Sequence, residues 1–275
     1  MSADGPAATR VRRIIDDAQD PALDRFRWRD PQLDPRQARS DAPLGLFVAE
    51  GDLVVERALE AGFTLHSVLV DELRAPPVLD RVPIDVPVFL ARPAVTKALT
   101  GFGVVLDIVA LFHRRAATPL TDLVAGARRL LLVDSVDNPA NVGAIVRSAA
   151  ALGVDALALD PTSADPFARR STRASMGAVF SMPCARTESL PGGLAPFRDA
   201  GFRLLALTPD LGATPIDSIT LAPDERAALL LGSERSGLDP SVLACTEPVR
   251  IPMARGIDSL NVAAAAAVAC YVLAR

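Results

Sequence analysis

Short, almost wholly apolar runs alternate with helical patterns along two stretches of this chain, which places it in the α/β class. Residues 130–133 are the clearest run, unbroken in the way of a strand whose parallel sheet is covered on both faces. The turn Asp137-Asn138-Pro139 follows it and leads into a helical pattern, the order of a βαβ unit. With 275 residues, 50% hydrophobic and 23% charged, the chain can bury one large or two modest cores.

Residues 1–43 are polar, punctuated by proline and mixed in charge. Ile14, Ile15, Leu23, Phe26 and Trp28 are scattered apolar anchors there, so a partly ordered leader with one helix is expected. A small α/β domain is expected over 44–118. Its strands are 44–48, 65–70 and 86–90, with a strand or buried segment at 104–112. Its helices are one through Leu53, Val54, Ala58 and Leu59 that stops at Gly62, and one over 93–99. Residues 118–127 read as a linker or interdomain helix.

A larger domain is expected over 126–275. Strand 130–133 leads to a helix over 141–152, with Val142, Ile145, Val146, Ala149 and Ala150 on its apolar side and Gly153 closing it. Strand 156–159, a polar arginine-rich loop over 160–170 and a helix over 171–176 come next. Further strands are 203–207, 228–231 and 249–251. The last helix, 259–274, is rich in alanine and apolar on nearly all sides. It needs cover on nearly all sides, part of which a second subunit would supply.

The net charge of −4 excludes a bulk polycation, so a nucleic-acid partner would need local basic patches. The candidates are Arg10, Arg12 and Arg13; Arg25, Arg27 and Arg29; Arg114 and Arg115; and Arg169, Arg170 and Arg173. Each also suits a plain solvated face, and aspartates interleave with the first two groups. Cys184, Cys245 and Cys270 are odd in number and far apart, with no CxxC, which argues for a reducing compartment and against disulfides or zinc. His66 and His113 are the only histidines, too few for a histidine triad or metal cluster, so no metal is expected. The N-terminus lacks the apolar core of a signal peptide, and the longest apolar run, 262–273, is too short to span a bilayer. A cytoplasmic protein with no membrane partner is expected.

Three stretches carry the chemistry. The first is Asn141-Val142-Gly143-Ala144-Ile145-Val146-Arg147, opening a helix after a strand. Asn141 and Arg147, six apart, do not share a helical face unless Asn141 belongs to the entering loop; arginine suits phosphate through its planar fork. Alone, the pair reads equally as an N-cap and a surface arginine. The second stretch, Leu231-Gly232-Ser233-Glu234-Arg235-Ser236-Gly237-Leu238, ends a strand in a tight turn where ligands of α/β sheets gather. It lacks the Lys-Ser/Thr ending of a P-loop and the spacing of a dinucleotide fingerprint. The third runs from Ile251-Pro252-Met253 through Arg255-Gly256 to Ser259-Leu260-Asn261-Val262, with Ser259 a natural N-cap.

Taken in this order, each after an apolar run, the stretches resemble the three signature motifs of the SpoU (TrmH) family of RNA methyltransferases, in the SPOUT class. The resemblance covers roughly 130–275 most fully and roughly 44–115 more weakly. Residues 47–70 also resemble the L30e-like substrate-binding domain that often precedes that catalytic domain. It implies a catalytic α/β domain with a deep trefoil knot, an RNA-docking N-terminal domain and a homodimer. The implied reaction transfers a methyl group from S-adenosylmethionine to a ribose 2′-hydroxyl of RNA, with rRNA favoured over tRNA. It puts Arg147 at the catalytic position, acting toward the partner subunit's pocket, with Asn141, Glu234, Ser259 and Asn261 at the other polar positions. Leu231, Gly232, Ile251, Met253, Ser259 and Leu260 would contact the cofactor, with Leu207 and Thr208 at a further strand end. The chain departs from the family in Ala263 and Ala264, where Ser-Val is common, and in lacking a basic stretch near Thr100-Gly101-Phe102-Gly103. The alternatives are an antibiotic-resistance enzyme of the same family, a non-catalytic RNA-binding or ribosome-assembly protein that keeps the fold, and a small-molecule nucleotide-binding α/β enzyme.

Overall fold

The computed structural model describes residues 12–34, 45–74, 76–100, 106–254, 256–257 and 259–274. Arg10, the stretch 101–103 and Arg255 lie outside them. The chain forms two compact units, one of residues 1–116 with 167–173, the other of 117–166 with 174–275.

The first unit holds β1 (Arg12–Ile15), α1 (Asp24–Arg27), α2 (Asp30–Leu33), β2 (Leu46–Glu50), α3 (Asp52–Glu60), β3 (Leu65–Asp71), β4 (Val88–Ala91), α4 (Pro93–Thr100) and β5 (Ile108–His113). Its mixed sheet has the order β1-β4-β3-β5-β2, with β5 antiparallel to both of its neighbours. Gly51, at φ +87°, makes the sharp turn from β2 into α3, which buries Val54, Val55 and Ala58 and stops before Gly62. Residues 12–33, within the expected leader, supply β1 at the sheet edge and two short helices. Ile15, Leu23, Phe26 and Leu33 pack in one core with Val48, Leu69 and Leu111. The mixed charge that suggests a leader sits on the outward positions, as at Arg12 and Arg13.

The second unit holds α5 (Leu120–Gly126), β6 (Arg129–Val133), α6 (Pro139–Ala151) and β7 (Ala156–Leu159). After α7 (Arg169–Ala174), whose residues 169–173 belong to the first unit, come β8 (Cys184–Arg186), α8 (Ala195–Asp199), β9 (Phe202–Leu207), β10 (Thr214–Pro215), β11 (Arg226–Leu231), α9 (Pro240–Leu243), β12 (Glu247–Arg250) and α10 (Val262–Leu273). Every pairing in its sheet is parallel, in the order β10-β12-β9-β11-β6-β7-β8. Alternate residues Leu130, Leu132, Ala158, Leu204, Ala206, Ala228 and Leu230 share one core with Phe197, Leu238 and Val242. β8 and β10, of three and two residues, carry too little pattern to be read from the sequence.

Helices α6 and α10 pack together through small and branched side chains. Val142, Gly143, Ile145, Val146 and Ala149 are buried on one, and Val262, Ala263, Ala266, Ala269 and Cys270 on the other. The start of α10 differs from expectation. Asn261, not Ser259, is the N-cap; its Oδ1 accepts from the amides of Ala263 at 2.9 Å and Ala264 at 3.4 Å. Ser259 is exposed in the entering loop. α6 likewise starts earlier than expected, capped by Asn138 with Pro139 at its first turn.

Several arginines that read as basic patches are committed to ion pairs within the first unit. Arg114 is buried, with its Nη1 3.2 Å from Asp34 Oδ2 and its Nε donating to the Leu46 carbonyl at 3.1 Å. Arg169 and Arg173 lie 3.4 and 3.3 Å from the carboxylate of Glu50. Burial pushes the Glu50 carboxyl up from its ordinary value, against the pull of the two guanidinium groups. Removing one partner of a buried pair strands the other, whereas an exposed pair contributes little. Arg114→Met is therefore expected to lower the unfolding free energy in urea by about 3 kcal/mol. Arg74→Met, which breaks the exposed pair with Asp107, should cost under about 1 kcal/mol.

Candidate active site

β12, β9, β11 and β6 are consecutive in the parallel sheet, so their carboxyl ends stand side by side. Neighbouring strands lie about 4.8 Å apart, which puts the loops after all four within about 15 Å. Those loops begin at Thr208 after β9, Gly232 after β11, Ile251 after β12 and Asp134 after β6, which makes this edge the natural ligand site of the fold.

Three of the expected polar residues meet there. Asn141, in the first turn of α6, donates through Nδ2 to Glu234 Oε1, and its Oδ1 accepts from Asn261 Nδ2 at 3.2 Å. Asn261 in turn holds the first amides of α10. Each amide is thus pinned at both ends, which fixes its orientation. One residue from each motif takes part, so the three loops are tied into one unit.

The second motif is a tight loop. Gly237 N donates to the Ser233 carbonyl at 3.0 Å, Ser236 N to Ser233 Oγ at 3.1 Å, and Gly237 sits at φ +67°. A side chain at Gly232 is excluded by contact: a Cβ would lie 2.3 Å from the Gly237 carbonyl carbon and 2.4 Å from Leu238 N. Leu207, Ile251 and Met253 are half-buried and Leu260 is 42% exposed, so apolar surface faces out along the strand ends. Thr208 is also half-buried, its amide bonded to the Val249 carbonyl at 2.9 Å, while Leu231 is buried. Apolar side chains beside a glycine cradle suit a cofactor with a flat, apolar base and a polar tail.

Arg147 and Ser259 stand apart from the hydrogen-bonded group. Asn141 lies inside α6 rather than in the entering loop, so Arg147 is about 9 Å further along the axis and about 120° round it. Arg147 is exposed and makes no hydrogen bond or ion pair to a described residue.

Two aspartates matter that the sequence reading passes over. Asp160, after β7, accepts from the amides of Ser135, Thr162 and Ser163, each at 2.9 Å, and from both hydroxyls of its own loop. These bonds hold its carboxyl below the ordinary value despite burial. They tie this loop to Ser135, which sits at φ +57° on the path into the first motif. The spacing Asp160, Thr162, Ser163 is the available sequence signal, since short polar side chains of this kind bond nearby amides. Asp134, at the end of β6, is half-buried; burial first, then Asp160 and Asp239, push its carboxyl up to about 6.

A parallel α/β unit with polar and glycine loops gathered at four adjacent strand ends defines a cofactor-binding enzyme of the α/β class. Residues 128–271 match the SpoU rRNA Methylase family. A Mycobacterium bovis protein named as an uncharacterized tRNA/rRNA methyltransferase is 38% identical over 260 residues, 93% of this chain and 89% of its own. The Bacillus subtilis 23S rRNA (guanosine(2553)-2′-O)-methyltransferase RlmP is 31% identical over 229 residues, 82% of this chain and 88% of its own. Among solved structures, the SpoU methyltransferase AviRb from Streptomyces viridochromogenes, in complex with the cofactor AdoMet, superposes with a TM-score of 0.76 at 26% identity. That superposition covers 93% of this chain and 97% of AviRb. The chain belongs to the SpoU rRNA methylase family. It is a methyltransferase, and its cofactor is S-adenosylmethionine.

Gly232→Ala must displace backbone, so cofactor affinity measured by calorimetry is expected to fall at least about tenfold, with a lower melting temperature. Asp134 is an acid whose folded value, about 6, lies above the ordinary 3.8. The stability it contributes is present below about pH 4 and lost as pH rises through about 6. Asp134→Asn imitates the neutral form, so melting curves should coincide with the parent's near pH 4 and move above it at pH 7.

Proposed function

We propose that this protein transfers the methyl group of S-adenosylmethionine to a ribose 2′-hydroxyl of rRNA. The observation that carries this reading is the Glu234–Asn141–Asn261 hydrogen-bonded group, which draws one residue from each motif to the carboxyl edge of the sheet. The cofactor supplies an electrophilic methyl on a sulfonium centre. The chain's own work is to hold the ribose in line with that methyl and to ease loss of the hydroxyl proton. Leu207, Ile251, Met253 and Leu260, with the Gly232 backbone, form the surface for the cofactor, and Thr208 marks the β9 end of it. Asn141, Glu234 and Asn261 keep the loops in register, and the Ser259 hydroxyl lies at the mouth of α10. The Arg147 guanidinium offers only N–H donors and no acceptor, so it serves as a donor to the developing alkoxide and the neighbouring phosphate rather than as a base.

The site is read as shared between two copies of the chain. Arg147 lies about 120° round α6 from Asn141 and is exposed, so it can serve a neighbouring copy. α10 has apolar outward residues, Val268 at 40% and Tyr271 at 48% exposure, which a second subunit would cover. The knotted path implied by the family is supported by connectivity: β12 lies outside β9, yet α10 returns past β9 and β11 to pack on α6. The first unit is read as the RNA-docking module, over roughly 44–118, with the catalytic domain over 126–275. Among the described residues no helix is long and apolar enough to cross a membrane. Cytoplasmic rRNA is the proposed substrate, and the three free cysteines suit that compartment.

Calorimetry with S-adenosylmethionine should show about one site per subunit, and purified protein should place a 2′-O-methyl mark on rRNA. Arg147→Ala should reduce methyl transfer by at least about a hundredfold while leaving the melting temperature and cofactor affinity unchanged. Cofactor affinity lost together with transfer would remove the role given to Arg147. A folded protein that binds rRNA but no cofactor, with or without RNA present, would leave a non-catalytic RNA-binding protein.

A further inference from the structure

At one end of the first unit's sheet, where β3 begins and β5 ends, the chain's only two histidines meet. A register shift between Leu65 and Ser67 turns His66 toward His113, and the ring centroids are 5.4 Å apart. Arg25 of α1 donates to His66 Nε2, while His66 Nδ1 lies 2.9 Å from Ser67 Oγ. Because Nε2 accepts, this imidazole is neutral and carries its proton on Nδ1. Two residues beyond His113, Arg115 stacks on Phe63 at 4.3 Å and donates to the Ala61 carbonyl at 3.0 Å.

The charge at this end is unbalanced. Arg25, His113 and Arg115 are exposed, and no carboxylate among the described residues pairs with any of them. The adjoining arginines behave differently: Arg27 is paired with Asp24, and Arg114 with buried Asp34. In a chain of net charge −4, such a concentration of unneutralised guanidinium and imidazole is unusual surface. Guanidinium forks match phosphate oxygens, and an imidazole beside a phosphate gains a second donor on protonation.

We propose that Arg25, His66, His113 and Arg115 form a docking site for the ribose-phosphate backbone of the RNA substrate. This rests on the RNA methyltransferase reading above and gives it a second contact, remote in sequence from the three motifs. A phosphate draws the Arg25 fork from His66 Nε2, and that imidazole then takes one proton from solvent. Burial, Arg25 and His113 hold His66 below its ordinary value in the free protein, so it is neutral at pH 7. The groups facing it are Arg25 from α1, Ser67 beside it on β3 and His113 from β5. Proton uptake on binding means that RNA affinity rises as pH falls.

The test is binding of a labelled 23S rRNA transcript to the full-length protein by fluorescence anisotropy, over a salt series at pH 6 and pH 8. The parent protein should bind on the order of tenfold more tightly at pH 6. Arg25→Gln and Arg115→Gln should each weaken binding several-fold and flatten the log–log salt slope by about 0.7–0.9. His66→Gln should shrink the pH effect, and His113→Gln should weaken binding. His113 makes no side-chain hydrogen bond to a described residue, so its variant tests the site with little risk to the fold. Arg81→Gln, which removes a cation already paired with Glu56 and Glu60, should leave the slope unchanged. Parent-like affinity, slopes and pH dependence in the folded Arg25, His66 and His113 variants would overturn this surface alone. A parent protein that binds S-adenosylmethionine but no rRNA would overturn both the surface and the RNA reading.

Discussion

Parallel pairing of β12, β9, β11 and β6 is the constraint on which the site depends. In a parallel sheet every strand ends on the same side, so segments separated by more than a hundred residues are delivered to one edge. The residues that meet there, Asn141, Glu234 and Asn261, then need only short side chains to join. Hydrogen bonds between them cost little to form because α6 and α10 are already fixed against each other by Gly143 and the alanines of α10. The packing of the two helices and the polar group at their tips are therefore one design: loosening the first would misalign the second.

The strands and helices of both units were largely legible, because residues 130–133 and 228–231 are continuous apolar runs and Gly51, Gly62 and Gly153 mark real turns. What pattern could not show was ownership of polar atoms. Ser259 and Asn261 are both good caps by type, and only the geometry of the turn gives the role to Asn261. Asp160 bonds the amides and hydroxyls of Thr162 and Ser163 in its own loop, and only the fold adds the Ser135 amide, which is distant in sequence. In the same way, a row of arginines in the sequence carries no sign of which are neutralised. Arg114 is spent on Asp34, while its neighbour Arg115 stays exposed over an aromatic ring.

Electrostatics divides the molecule's surface by function. Around the strand ends of the catalytic unit the conspicuous charges are carboxylates, Asp134, Asp160 and Asp239, with Glu234 bound to Asn141. Such a region would repel a polyanion unless cations elsewhere held it. On the two proposals above, the exposed Arg147 on α6 and the cluster around His66 would supply those cations. RNA affinity and methyl transfer would then rest on largely separate groups, and one could vary without the other.

The short stretch 167–173 has a consequence for how this protein can be divided. It lies in sequence between two strands of the catalytic sheet, yet Arg169 and Arg173 supply the counter-charge for Glu50, and Thr172 Oγ1 donates to the Val48 carbonyl at 3.2 Å. The backbone therefore passes between the units three times, after residues 116, 166 and 173. A fragment cut at residue 116 parts a buried carboxylate from both of its guanidinium groups and uncovers one side of β2. The units are not interchangeable cassettes: replacing the first unit would require replacing residues 167–173 along with it.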